Sequence, residues 1–126
     1  MKVPLDQKLP DSLLPLSSQV FYILVALADG DLHGYAVREA VYEKSNGTVL
    51  LGPGTLYGAI SRLLENGLIE ETMKRSDSDD PRRRYYRLTK LGRQTLVAEM
   101  RRLEGLVKVA KSTSVIRKLK PAKEHL

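Results

Sequence analysis
The chain of 126 residues contains no cysteine, no tryptophan and only two histidines, His33 and His125. Without cysteine, disulfides and thiolate metal sites are excluded, and such a chain suits a reducing compartment, with the cytoplasm as the expected location. His125 lies in the terminal segment, so the pair supports neither a Ser-His-Asp arrangement nor a histidine-rich metal site. No catalytic residue, metal or cofactor is expected, and His33 beside Gly34 is expected to shape a turn between two helices. Gly52-Pro53-Gly54 forms no P-loop, because no Gly-Lys-Ser/Thr follows it. No run approaches the ~20 apolar residues that cross a bilayer. The first residues also lack a basic start followed by an apolar stretch, so neither a membrane partner nor a targeting segment is expected.

What is present is positive charge: +6 at neutral pH, with an isoelectric point near 9.7. That balance favours a polyanionic partner. The length supports one compact domain with an appended element, and 42% hydrophobic residues suffice for a modest core.

Residues 1–16 hold prolines and mixed charge without clear periodicity and are expected to form an arm or a short, weakly determined helix. From Ser17 the pattern turns helical, with Val20, Ile23, Leu24 and Leu27 on one face, and Asp29-Gly30-Asp31 stops it. A second helix spans residues 34–44, with Val37, Ala40 and Val41 on one side and Ser45-Asn46-Gly47 as its exit. A β-rich run at 48–51 follows. The third helix opens at Pro53, where the ring suits a first turn, and ends at Asn66-Gly67. Leu56, Ala59, Ile60, Leu63 and Leu64 make one apolar stripe. The opposite side, carrying Thr55, Gly58, Ser61 and Arg62 with Tyr57 on the border, is left for a partner and can contact phosphates and base edges. Gly58 costs the helix about 1 kcal/mol relative to alanine. That is explained by a close-approaching surface or by a tolerated surface glycine. The start of this helix is an expected anion site, with DNA phosphate as the anion.

Two strands are predicted at 68–75 and 82–88, joined by the polar tip Ser76-Asp77-Ser78-Asp79-Asp80-Pro81. Arg82, Arg83, Arg84 and Arg87 with Tyr85 and Tyr86 give a projecting basic ribbon that can follow a DNA backbone. The competing reading is a solvated hairpin whose arginines pair with Asp77, Asp79 and Asp80. Its position directly after a candidate recognition helix favours the wing. The expected fold is mainly α with a small β-hairpin, an α+β winged helix-turn-helix at 17–89 with a long C-terminal helix.

Thr89 reads as the N-cap of that helix, which reaches about Lys111. Leu96, Met100, Leu103, Val107 and Ala110 are spaced 4, 3, 4, 3 along it, a heptad seam. A single small domain cannot easily bury both its own core and a helix of ~30 Å, so the seam at 90–112 is expected to meet a second copy; the alternative is a helix folded back on its own domain. Residues 113–126, with Arg117, Lys118, Lys120 and Lys123, read as a basic flexible tail.

The segments DLHGYAVREAV, LGPGTLYGAISRLLENGLIEE and RRRYYRLTKLGR closely resemble the PadR-type transcriptional regulators, winged-helix repressors of bacteria and archaea, over roughly 20–104. A single C-terminal helix resembles the family's compact branch. The resemblance implies a homodimeric repressor that sets two recognition helices on successive major-groove segments of a near-palindromic operator in double-stranded DNA. By the same resemblance, Thr55 and Tyr57 match the DNA-facing start of the third helix, Tyr35 a tyrosine that approaches the backbone, and Arg83 and Arg84 basic wing residues. Leu56, Leu63, Leu68 and Ile69 match core positions only. Gly58 departs from a proline common there. Relief by a small apolar or aromatic effector is also implied, held near Met100, Leu103 and Val107, although the favoured reading of these residues is plain dimer core. Two other readings stand beside this one: a small-molecule sensor, and a winged helix used for protein contacts in which the arginines are dispensable.

Overall fold
The computed structural model describes residues 10–73 and 83–119. Three helices form the body: α1 (Ser18–Ala28), α2 (Gly34–Lys44) and α3 (Pro53–Glu65). The Ser17 hydroxyl accepts the Val20 N–H at 3.1 Å and so caps α1. The sequence stripes land where their spacing puts them. Ile23, Leu24 and Leu27 of α1, Val37 and Val41 of α2, and Leu56, Ala59, Ile60 and Leu63 of α3 are all buried in one cluster with Leu51, Leu68, Ile69, Tyr86 and Leu88. Leu64, predicted for the same stripe, is only half-buried.

The sheet has three strands in the order β1 (Leu32–His33), β3 (Tyr85–Leu88) and β2 (Ile69–Thr72), all antiparallel. Ile69 faces Leu88 and Thr72 faces Tyr85, while Leu32 faces Tyr86 on the other edge. The hairpin is therefore as expected in kind, but β1 is not visible in the sequence, because two residues carry no periodicity. The predicted extended run at 48–51 is not a strand. The Thr48 and Val49 N–H groups turn back to the Ser45 carbonyl and hydroxyl, at 3.1 and 2.9 Å, and Leu51 plugs into the core. The wing tip at 76–81, with Asp77, Asp79 and Asp80, lies outside the described residues, as does Arg82.

α4 (Lys90–Lys111) leaves the sheet through Thr89, whose hydroxyl accepts the Gly92 N–H at 3.0 Å and donates to the Gly67 carbonyl at 2.6 Å. Gly92 is buried against the Leu68 carbonyl oxygen, and a β-carbon at 92 would overlap it. The expected tail begins instead with a short helix, α5 (Ser114–Leu119), whose start the Thr113 hydroxyl holds by accepting the Ile116 N–H at 3.3 Å. Residues 120–126 lie outside the described part.

Of the N-terminal arm, Pro10–Leu13 forms a 3-10 turn that rests on α4. The tie beyond it is ionic. Glu99, 1% exposed, accepts the Leu16 N–H at 3.0 Å and two hydrogen bonds from Arg102, at 2.6 and 2.9 Å. The Arg102 bonds, joined by the Leu16 N–H and opposed by burial, hold the Glu99 carboxyl below its ordinary value near 4.5. A depressed carboxylate stabilises the fold above the ordinary carboxylate range, and that contribution disappears as pH falls through the folded value. Glu99→Gln should therefore destabilise the chain by about 1–3 kcal/mol at neutral pH. In unfolding titrations from pH 7 to 2 the gap from the parent should close below pH ~4; a constant gap would contradict the linkage.

Candidate nucleic-acid interface
α3 has two faces because its apolar residues recur at helical spacing and its polar ones do not. Opposite the buried stripe, Thr55, Ser61 and Arg62 are exposed, Tyr57 is 49% exposed and Gly58 is partly covered. A β-carbon at Gly58 would meet the Arg62 guanidinium at 3.6 Å, an ordinary contact, so packing within the chain does not require glycine there. Gly52, the N-cap, has no side chain to bond the N–H groups at the exposed start of α3. A helix start of this kind attracts anions through its free N–H groups and its dipole.

α2 begins beside it. The His33 Nδ1 accepts the Ala36 N–H at 3.2 Å and caps α2, so the histidine does shape the joint before this helix. Its ring meets Tyr85 edge-on, 5.4 Å between centroids at 87°, and its Nε2 lies 3.3 Å from an Arg83 guanidinium nitrogen. A neutral imidazole has one lone pair; once Nδ1 accepts the cap bond, Nε2 carries the proton, and the Arg83 contact is a polar approach rather than a second accepted bond. Tyr35, 54% exposed, lies under Arg38, whose guanidinium carbon is 5.8 Å from the ring centroid. Arg38 is fixed from behind by its bond to the Leu51 carbonyl at 2.8 Å.

On the wing, Arg83 and Arg84 are exposed just before β3. Arg84 pairs with Glu71 at 3.1 Å and Arg87 with Glu70 at 2.8 Å. The sequence reading set the arginines against the tip aspartates and did not weigh these two glutamates; the antiparallel register puts Glu70 opposite Arg87 and Glu71 opposite Tyr86, within reach of Arg84. Burial first, then Glu71, holds the Tyr86 phenol above its ordinary range, so Tyr86 remains protonated in the sheet. Thus Tyr57 reaches α2 at Gly34, and Arg83 reaches it at His33. Among the sequence-predicted residues, Tyr35, Tyr57 and Arg83 are brought around one helix start.

The heptad residues divide along α4. Leu96 is half-buried and packs on the domain's own core, whereas Met100, Leu103 and Val107 are 45%, 37% and 52% exposed and Ala110 is exposed. Leu106 and Val109 widen this apolar face. Clefts of about 700 and 730 Å³ lie elsewhere, along α2 beside Tyr35 and Tyr42 and between the N-terminal turn and α4 beside Arg93 and Val97. Among the described residues no acidic or histidine cluster could hold a metal, and no helix is long and apolar enough to cross a membrane. The residues that sequence reasoning missed are His33 as a cap, Gly34, Arg38 and Glu71. Histidine is not among the usual capping side chains, and the others act through contacts distant in sequence.

The transcriptional regulator PadR-like family matches residues 23–98. A 37.1 kDa protein encoded in a Streptomyces fradiae transposon is 42% identical over 88 residues, 68% of this chain; the chain spans 24% of that relative's length. The structure is similar to a PadR family transcription regulator from Clostridium difficile, with 28% identity and a TM-score of 0.64 over 74% of this chain and 94% of that one. It also shares the fold of Bacillus subtilis PadR, solved in complex with operator DNA, with a TM-score of 0.57 and 21% identity over 67% of this chain and 47% of that one.

His33→Ala removes the α2 cap and should lower stability by about 1 kcal/mol. Chemical denaturation checks the value, and an unchanged midpoint would mean that the cap bond does not hold in solution.

Proposed function
Because the chain belongs to the PadR-like family of transcriptional regulators, we propose that it binds operator DNA as a homodimer and represses the genes it controls. The observation that carries this reading is the meeting of α3, through Tyr57, and the wing, through Arg83, at the His33-Gly34 start of α2. A helix and a basic ribbon joined there form one surface. In it α3 enters the major groove, about 12 Å wide, with Thr55, Tyr57, Ser61 and Arg62 toward bases and phosphates and Gly58 permitting close approach. Arg83 and Arg84 lie along the backbone, as does Arg82 by sequence, and Tyr35 touches it from α2. The uncapped start of α3 receives a phosphate.

The second copy is supported by the exposed apolar end of α4. Met100, Leu103, Leu106 and Val107 stand together in water in the single chain, and pairing two such faces buries them. Twofold pairing sets two recognition helices on a near-palindromic operator. Repression follows from occupying promoter DNA, with relief by a small apolar or aromatic effector received between the paired helices. Such a regulator works in the cytoplasm.

Fluorescence anisotropy on duplexes tiling the upstream region of its own gene, with a scrambled control, tests this reading. In the duplex that binds best, Arg83→Ala with Arg84→Ala should weaken affinity and flatten the salt dependence by about 2 in log–log slope for each bound protomer, roughly 4 for the dimer. Unchanged binding and slope would instead favour a wing that serves protein contacts. Leu103→Glu, at a partly exposed position, should convert dimers to monomers in light scattering while the circular dichroism of the winged body is kept; persistent dimers would exclude this face.

A further inference from the structure
We propose that Gly34 is a positioning residue for Tyr57: the missing side chain at the start of α2 sets the direction in which α3 presents its one outward aromatic ring to DNA. This rests on the DNA-binding reading above. Gly34 is buried at the first position of α2, and its backbone lies outside the left-handed region found at Gly30, Gly47 and Gly67. Nothing in its own conformation calls for glycine, which is among the poorest helix formers. The reason lies across the interface with α3. A β-carbon at 34 would stand 2.6 Å from the Tyr57 hydroxyl oxygen, 2.9 Å from its Cε1 and 3.0 Å from its Cζ, all inside van der Waals contact. The phenol end of Tyr57 therefore lies directly on the α2 backbone, in space that only glycine leaves open.

Tyr57 is not held there as a core residue. Half of it is exposed, and it borders rather than joins the buried stripe of Leu56, Ala59, Ile60 and Leu63. The atoms that obstruct a methyl group at 34 are the far end of a rotatable side chain, so a larger residue is accommodated by swinging the ring away, with α2 and α3 keeping their packing. Gly92 is the contrasting case, where the obstruction is the Leu68 backbone carbonyl and rotation offers no escape. Substitution at 34 thus separates the direction of the Tyr57 ring from the integrity of the fold. The ring's resting place adjoins His33, against which Arg83 lies, so the phenol is fixed at the seam between reading helix and wing. A displaced ring alters the surface between Thr55 and Ser61.

The test is a double-mutant cycle of Gly34→Ala and Tyr57→Ala, read by anisotropy on the best-binding upstream duplex, with melting temperature and the Gly34 α-proton shifts recorded alongside. Gly34→Ala should weaken binding about tenfold, as should Tyr57→Ala. The double variant should bind no worse than Tyr57→Ala alone. Gly34→Ala should melt within about 4 °C of the parent. In the parent the Gly34 α-protons should show the ring-current shift of the phenol, and Tyr57→Ala should abolish it. Parent-like binding by Gly34→Ala, or losses that add in full, would overturn the proposal. Absence of operator binding by the parent itself marks failure of the DNA-binding reading, and this proposal falls with it.

Discussion
Leu68 brings its carbonyl oxygen so close to the first turn of α4 that residue 92 has no room for a β-carbon. Around this contact four chain segments are locked. The Leu68 carbonyl accepts the Thr89 N–H at 3.1 Å, and the Thr89 hydroxyl links the Gly67 carbonyl to the Gly92 N–H. The end of α3, the entry to β2, the exit from β3 and the start of α4 are therefore one joint, made of backbone atoms and a single hydroxyl. Backbone contacts at this range leave no side-chain freedom to absorb motion. The direction of α4 relative to the wing is consequently a property of the fold, and so is the placement of its exposed apolar end relative to α3.

Glu99 secures the same helix from the other side. It is buried, and a buried carboxylate needs partners for its oxygens; Arg102 and the Leu16 N–H supply them. The N-terminal segment is thereby tied to α4 just where the helix leaves the domain. Up to Glu99 the inward positions, Gly92, Thr95 and Glu99 itself, are buried; beyond Arg102 every residue of α4 is exposed. One helix thus serves two purposes in succession. Its first half completes the core, and its second half carries apolar residues that the domain does not cover. The 4, 3, 4, 3 spacing runs through both halves, which is why Leu96 follows the seam in sequence yet packs on the domain in space.

The parts of the fold that can be read from sequence are those whose causes are local. Ser17, Pro53 and Thr89 sit at helix starts because each acts within a turn of itself, and the stripe of α3 needs only its own spacing. β1 depends on which edge of β3 is free to pair, which no window of residues contains, and the segment at 48–51 reads as extended by residue type yet folds back on Ser45 as Leu51 enters the core. His33 conceals its cap because imidazole is an unusual acceptor there. Gly34 and Gly92 are visible as glycines, but what fills the space beside them comes from residues 57 and 68. The candidate interface follows the same division: its exposed residues on α3 are legible, whereas the contacts that orient them are not.

Glu70 and Glu71 add a physical condition to the DNA-binding reading. Arg84 and Arg87 are held by carboxylates across the ladder, in pairs whose members are about half exposed or more. Ion pairs of this exposure contribute roughly 0–1 kcal/mol and are weakened by salt. A phosphate approaching Arg84 therefore meets a guanidinium already oriented by Glu71, at little cost for exchanging or sharing the partner. The same glutamate repels the phosphate. The two effects oppose each other: orientation lowers the entropy lost when the contact forms, and the adjacent negative charge lowers its strength. Arg83 stands at the start of α2, with one guanidinium nitrogen 3.3 Å from the His33 Nε2. Of the two described wing arginines proposed for DNA, Arg83 therefore stands nearer the seam where Tyr57 rests on α2, while the contact of Arg84 is set by the balance between orientation and repulsion at Glu71.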